Sequence, residues 1–106
     1  MTKESALQRQ FTEAMLNIYK RALQEAGYHA SRFHQMIGEY GGYETAKMLI
    51  YAPQPSEGYT ALWERQRLDL TVEALILRQE WQDLFTEEDR AAARARLKQY
   101  NYDFGV

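Results

Sequence analysis

The sequence contains no cysteine, so any site must be built from histidine, carboxylates, cations or tyrosine. Without thiols there are no disulfides, no cysteine-ligated zinc or iron–sulfur cluster, and no thiol nucleophile. The two histidines are His29 and His34. Two ligands on one helix face need a spacing of three or four, as in H-E-x-x-H. A spacing of five turns the side chains about 140° apart at ~100° per residue. Both are therefore expected to be partly exposed helix residues, and no metal or cofactor is expected. No G-x-S-x-G, S-x-x-K or glycine-rich phosphate loop occurs. Asp69 and Glu73 are four apart and could divide acid and base work on one helix face. The simpler expectation is that Asp69 caps a helix and Glu73 pairs with Arg67 or a nearby lysine.

Three other groupings stand out. Arg90, Arg94 and Lys98 recur every fourth residue, within an arc of about 80° on one helix, and could meet phosphates. Glu87 precedes them, and a solvated charged face is the alternative. Arg67 and Asp69 flank Leu68 where helical periodicity breaks, and are expected to form a bidentate pair that fixes a structural corner. Tyr40, Tyr43, Tyr51 and Tyr59 lie close together in the middle of the chain, with Tyr28 nearby. Tyrosine favours interfaces because it is large, amphipathic and loses little entropy on binding.

Helices must position these groups. Ser5-Ala6-Leu7-Gln8 fits a capping box. Leu7, Phe11, Met15, Ile18, Ala22 and Ala26 then recur at helical spacing, and Gly27 is a natural stop. The first helix is read as residues 5–26. Ser31 is the expected cap of a second helix carrying Phe33, Met36, Ile37 and Tyr40, ended by Gly41-Gly42. A third helix runs from Tyr43 to Ala52, where Pro53 stops it. Pro53 and Pro55 restrict the loop that follows, and Ser56 can cap a short helix with Tyr59, Leu62 and Trp63. Asp69 or Thr71 can cap the next helix, with Val72, Leu75 and Ile76 inward and Trp81, Leu84 and Phe85 following. Thr86 to Asp89 opens the last helix, and Tyr102 and Phe104 are expected to dock the tail. Trp63 and Trp81 are assigned to the core. No segment alternates apolar and polar residues with β-branched enrichment. The expected fold is all-α: one domain spanning residues 1–106, a bundle of five to six short helices with a long N-terminal helix.

Much of the chain after position 40 resembles a small, uncharacterised family of bacterial helical proteins. The residues that carry the likeness are Gly41-Gly42, Thr45 to Ile50, Ser56 to Tyr59, Leu62-Trp63, Arg67 to Leu75, Trp81 to Glu88, and Ala93-Arg94 to Tyr100. The departures are Thr45 where the pattern has Ala, Tyr59 where it has Phe, and Gln66 where it has Gly. The resemblance covers over half the chain. It implies a shared fold and carries no established activity.

Thirteen basic and fifteen acidic residues give a net charge of -2 and a pI near 5.7, against a globally cationic nucleic-acid binder. The longest apolar run, Ala74-Leu75-Ile76-Leu77, is far short of the ~20 residues of a membrane span. With no secretory h-region, a cytoplasmic location is expected. The leading functional expectation is a non-enzymatic protein–protein interaction module, an adaptor, regulatory subunit or homo-oligomeric domain, that binds through Tyr40, Tyr43, Tyr51 and Tyr59. The second is a nucleic-acid-associated accessory protein using Arg90, Arg94 and Lys98.

Overall fold

The computed structural model describes residues 6–102. Ser5 and Phe104, to which a capping role and tail docking were assigned, lie outside them. The described residues are 75% helical, with no strand among them. Its five α-helices are α1 (Ala6–Ala26), α2 (Ser31–Ile50), α3 (Glu57–Glu64), α4 (Val72–Ile76) and α5 (Glu87–Gln99), with short 3-10 turns at Leu68–Leu70 and Gln79–Trp81. The radius of gyration is 12.9 Å, which equals the expectation of roughly 13 Å for one compact domain of this length.

The apolar stripe of α1 buries Phe11, Met15, Ile18 and Ala22. Phe11 is the centre of the core, edge-on to Trp81 at 5.2 Å and to Phe85 at 4.9 Å between ring centroids. Such pairs add about 0.5–1.5 kcal/mol beyond their area burial. Ile37, Ala46 and Ile50 of α2, Val72, Leu75 and Ile76 of α4, and Ala93 of α5 close around it.

Gly41-Gly42 breaks the helical run of α2 into two segments that meet across a kink, where the sequence reading ended one helix and began the next. Gly41 takes φ 81° and ψ 164°, a region open essentially to glycine alone. Helical hydrogen bonding is interrupted there, and the Gly42 N–H donates instead to the Thr12 hydroxyl of α1 at 3.1 Å. A Cβ on Gly42 would lie 2.7 Å from the Thr12 Cα, so the helices touch at backbone distance. The first glycine makes the bend, and the second lets the bent helix reach α1.

Local chemistry sets the remaining ends. Ser31 is the first residue of α2 rather than its cap, and Ala30 at the cap position makes no side-chain bond. Ser56 caps α3 by accepting from the Tyr59 N–H at 3.0 Å. Thr71, not Asp69, caps α4 by accepting from the Ala74 N–H at 3.2 Å. That helix ends after five residues, because the chain turns extended at Arg78 before Trp81 and Phe85 reach the core. Thr86 and Asp89 form a reciprocal capping box at the start of α5.

Helices α3 and α5 end alike. Arg67 N–H bonds back to the Leu62 carbonyl at 2.8 Å and Gln66 N–H to Trp63 at 3.0 Å, while Tyr102 N–H bonds to Leu97 at 2.9 Å and Asn101 N–H to Lys98 at 3.0 Å. These are Schellman motifs, whose pivot residue is left-handed. Asn101 with φ 63° suits that position, whereas Gln66 with φ 60° is strained there. Gln66 is also where the resembled pattern carries glycine.

Two substitutions should therefore move stability in opposite directions. Gly42→Ala forces apart backbones already in contact and should cost about 1–3 kcal/mol. Gln66→Gly removes a left-handed side chain and should gain up to about 1 kcal/mol after the entropic cost of glycine. Thermal melting is the measurement, at roughly 4–8 °C per kcal/mol for a domain of this size. A neutral Gly42→Ala would show that α1 and α2 can part freely.

Candidate functional site

The sequence-expected site residues do not form one surface. Tyr40 and Tyr51 are exposed, and Tyr43 is half-buried with its ring 5.3 Å from Phe85. Tyr59 is only 2% exposed and leaves the proposed patch. It faces inward on α3, and its hydroxyl donates to the Arg96 carbonyl at 3.2 Å. Trp63 reverses the other way. It is 44% exposed, outside the core to which it was assigned, because Tyr59 and Leu62 occupy the buried side of this short helix. Its ring rests edge-on against Tyr100 at 5.4 Å, and Tyr100 meets Tyr59 at 5.2 Å.

Around Tyr51 the chain builds a tethered aromatic face. Its hydroxyl donates to the Asp89 carboxylate at 2.6 Å, and the Lys47 ammonium donates to both oxygens of the same carboxylate at 3.2 and 3.3 Å. That ammonium also lies over the Tyr43 and Tyr51 rings, 5.7 and 5.8 Å from their centroids. Asp89 is buried. Burial alone would raise its carboxyl, but hydrogen bonds from Tyr51, the Thr86 N–H and Lys47 outweigh it and hold it below the usual carboxylate range. The same bond from the Tyr51 side, with burial, pushes the phenol up to about 12. Lys47 and Asp89 were not singled out as site residues. Asp89 was legible only as a helix-opening acid, and nothing in the sequence pairs it with positions some forty residues earlier.

The cations of the last helix separate by face. Arg90 donates to the Ile76 carbonyl at 3.2 Å, Arg94 pairs with Glu87, and Lys98 is exposed. Arg96, off the strip, does the most structural work. Its guanidinium donates to the carbonyls of Leu49, Ala52 and Gln54, and lies 3.6 Å from the Glu73 carboxylate. It satisfies carbonyls that the end of α2 leaves without helical donors, and it anchors the two-proline loop.

Asp69 and Glu73 do not pair. Asp69 lies in the 3-10 turn and takes a fork of bonds from Arg67 at 2.9 and 3.0 Å, while Arg67 also reaches Glu25 of α1 at 2.8 Å. Both arginine bonds lower Asp69, and those from Arg21 and Arg67 lower Glu25 to about 2. Leu68 and Leu70 on either side of Asp69 are buried. Glu73 is buried on α4, and its cation is Arg96 rather than Arg67 or a lysine. Burial raises its carboxyl to about 7 against the opposing pull of its backbone N–H and Arg96.

Glu73 is among the residues that line a cavity of about 300 Å³ bounded by α1, both halves of α2, α3 and the start of α4. Ile18 and Ala22 form one wall, Phe33 and Met36 another, and Tyr59 and Leu62 a third. His29 and His34 gather on Tyr19 instead of on a metal. The His29 Nε2 is 2.8 Å from the Tyr19 hydroxyl, and the His34 ring stacks on Tyr19 at 4.6 Å. Among the described residues, no group of three histidines or carboxylates is placed to hold a metal ion, and no helix is long and apolar enough to cross a membrane.

Glu73 sets a pH dependence with a definite sign. Its folded pKa lies above its unfolded value of 4.5, so the native state binds the proton more tightly. Stability from this group is full in acid and is lost as pH rises through about 7. Glu73→Gln mimics the protonated form. It should match the parent at pH 4 and exceed it at pH 8 by an amount on the order of 3 kcal/mol. Denaturant melts at both pH values check this, and equal destabilisation at both would show that the ionised pair with Arg96 is net stabilising.

The chain matches no family model, no curated protein and no solved structure. Its function has to be read from its own geometry.

Proposed function

We propose that the chain is a cytoplasmic, bacterial-type protein–protein interaction module that docks another protein chain on the outer face of α2. One observation carries this reading. Tyr51 is 46% exposed, yet its hydroxyl is held 2.6 Å from a buried carboxylate. An aromatic ring fixed in solvent has already lost the freedom that binding would otherwise take from it. Met48, 41% exposed, lies one turn from Glu44 and Tyr51 on the same stripe, and Tyr40, 53% exposed, precedes the bend. Tyrosine anchors and adaptable methionine are common where proteins meet.

The competing nucleic-acid reading rests on Arg90, Arg94 and Lys98, of which the first two already donate within the chain. No observation favours it over the aromatic face.

The test is association measured by light scattering and by pull-down from the host. Tyr40→Ala and Met48→Ala touch little of the core, so melting should shift by no more than a few degrees while association weakens about tenfold or more. Tyr51→Phe keeps the ring but frees it from Asp89, and should weaken association without abolishing it. If these variants melt lower and associate unchanged, the face is structural and the reading fails. Salt-sensitive nucleic acid in the purified protein would favour the basic strip instead.

A further inference from the structure

We propose that the cavity bounded by α1, α2, α3 and α4 is a binding site for a small, largely apolar amine, whose ammonium meets the carboxyl of Glu73. This site is separate from the Tyr51 face and does not depend on it.

The volume comes first. A cavity of about 300 Å³ is twice the ~150 Å³ that holds a benzene ring, and lies at the lower end of small-molecule pockets. The walls are largely aliphatic and aromatic, with Tyr19, Tyr28, Phe33 and Tyr59 among the lining residues. Aromatic faces attract a cation through their quadrupole, and do so more strongly away from water.

The carboxyl comes second. The Glu73 side chain is 5% exposed, and its cationic neighbour Arg96 stands 3.6 Å away, beyond a good hydrogen bond. Among the described residues no side chain donates a hydrogen bond to it within the usual distance. Its own backbone N–H and the more distant Arg96 leave this buried carboxyl undercompensated, and an apolar residue would fill the position at lower cost. An ammonium entering the cavity would add close donors and a second positive charge beside this carboxyl.

The remaining charges around the cavity are Arg32 at the start of α2 and Glu57 at the start of α3. They oppose each other in sign, so the rim selects neither anions nor cations strongly. The choice falls to Glu73.

The experiment uses the full chain and three probes of similar size: phenethylamine, the neutral propylbenzene and the anionic 3-phenylpropionate. Binding is followed by amide chemical shifts and by calorimetry. Phenethylamine should bind saturably, with its largest shifts at Val72, Glu73 and Tyr59, and at least about tenfold more tightly than the other two. Glu73→Gln should remove that preference while leaving propylbenzene unchanged. Ala22→Leu, which fills the cavity, should weaken all binding. Several outcomes overturn the proposal: equal binding of propylbenzene, preference for 3-phenylpropionate, no binding at millimolar concentration, or shifts elsewhere on the chain. Because the shift map is read on the unaltered protein, the proposal stays testable even if a variant fails to fold.

Discussion

The contact between Gly42 and Thr12 governs the arrangement of everything else. Helices usually pack 8–10 Å apart because side chains lie between them. Here a glycine meets a backbone, and the Thr12 hydroxyl replaces the acceptor that the bend at Gly41 removes. The crossing is fixed in distance by sterics and in register by one hydrogen bond. From that crossing, the first half of α2 runs along α1 and puts Phe33 and Met36 opposite Ile18 and Ala22 across the cavity. The second half turns toward α5, where Lys47 and Tyr51 find Asp89. A straight α2 could not serve both neighbours.

Two buried acids show how much context decides. Asp89 and Glu73 are both almost wholly buried, and each has a basic side chain within 4 Å. Asp89 receives a short phenolic bond, two ammonium bonds and a backbone N–H, so its charge is stabilised. Glu73 has only its own backbone N–H and a guanidinium at 3.6 Å, and desolvation prevails. The guanidinium is out of reach because it is engaged elsewhere, with the carbonyls of Leu49, Ala52 and Gln54 taking its donors. Closing the end of α2 therefore leaves Glu73 undercompensated. One arginine links the stability of the proline loop to the chemistry of the cavity.

Local features were legible in the sequence, and relations between distant segments were not. The stripe Phe11, Met15, Ile18, Ala22 reads as a buried face because helical period alone decides it. The caps at Ser56, Thr71 and Thr86 follow from a hydroxyl two or three residues before a free N–H. The double glycine announces the break between the two segments of α2, but not that Gly42 meets Thr12 of α1 there. Tyr59 and Trp63 are large aromatics four residues apart on one short helix, and only the position of Tyr100 and α5 decides which one is covered. Asp89 and Arg96 lie in a charged helix where either could face solvent. Their roles come from residues about forty positions away, which no periodicity encodes.

The exposed aromatics then divide by how they are held. Trp63 leans on Tyr100 through ring contact alone and has no hydrogen bond to fix its orientation. Tyr51 is fixed through its hydroxyl, and the Lys47 ammonium between two rings stiffens the surface further. An isolated surface ring needs no such support, since scattered exposed apolar residues are ordinary. The Asp89 carboxylate that orders the exposed phenol also completes the capping box of α5 and pairs with Lys47, so one buried charge closes a helix end and holds a surface ring. That shared anchor distinguishes the Tyr51 ring, by how it is held, from the rest of the exposed apolar surface.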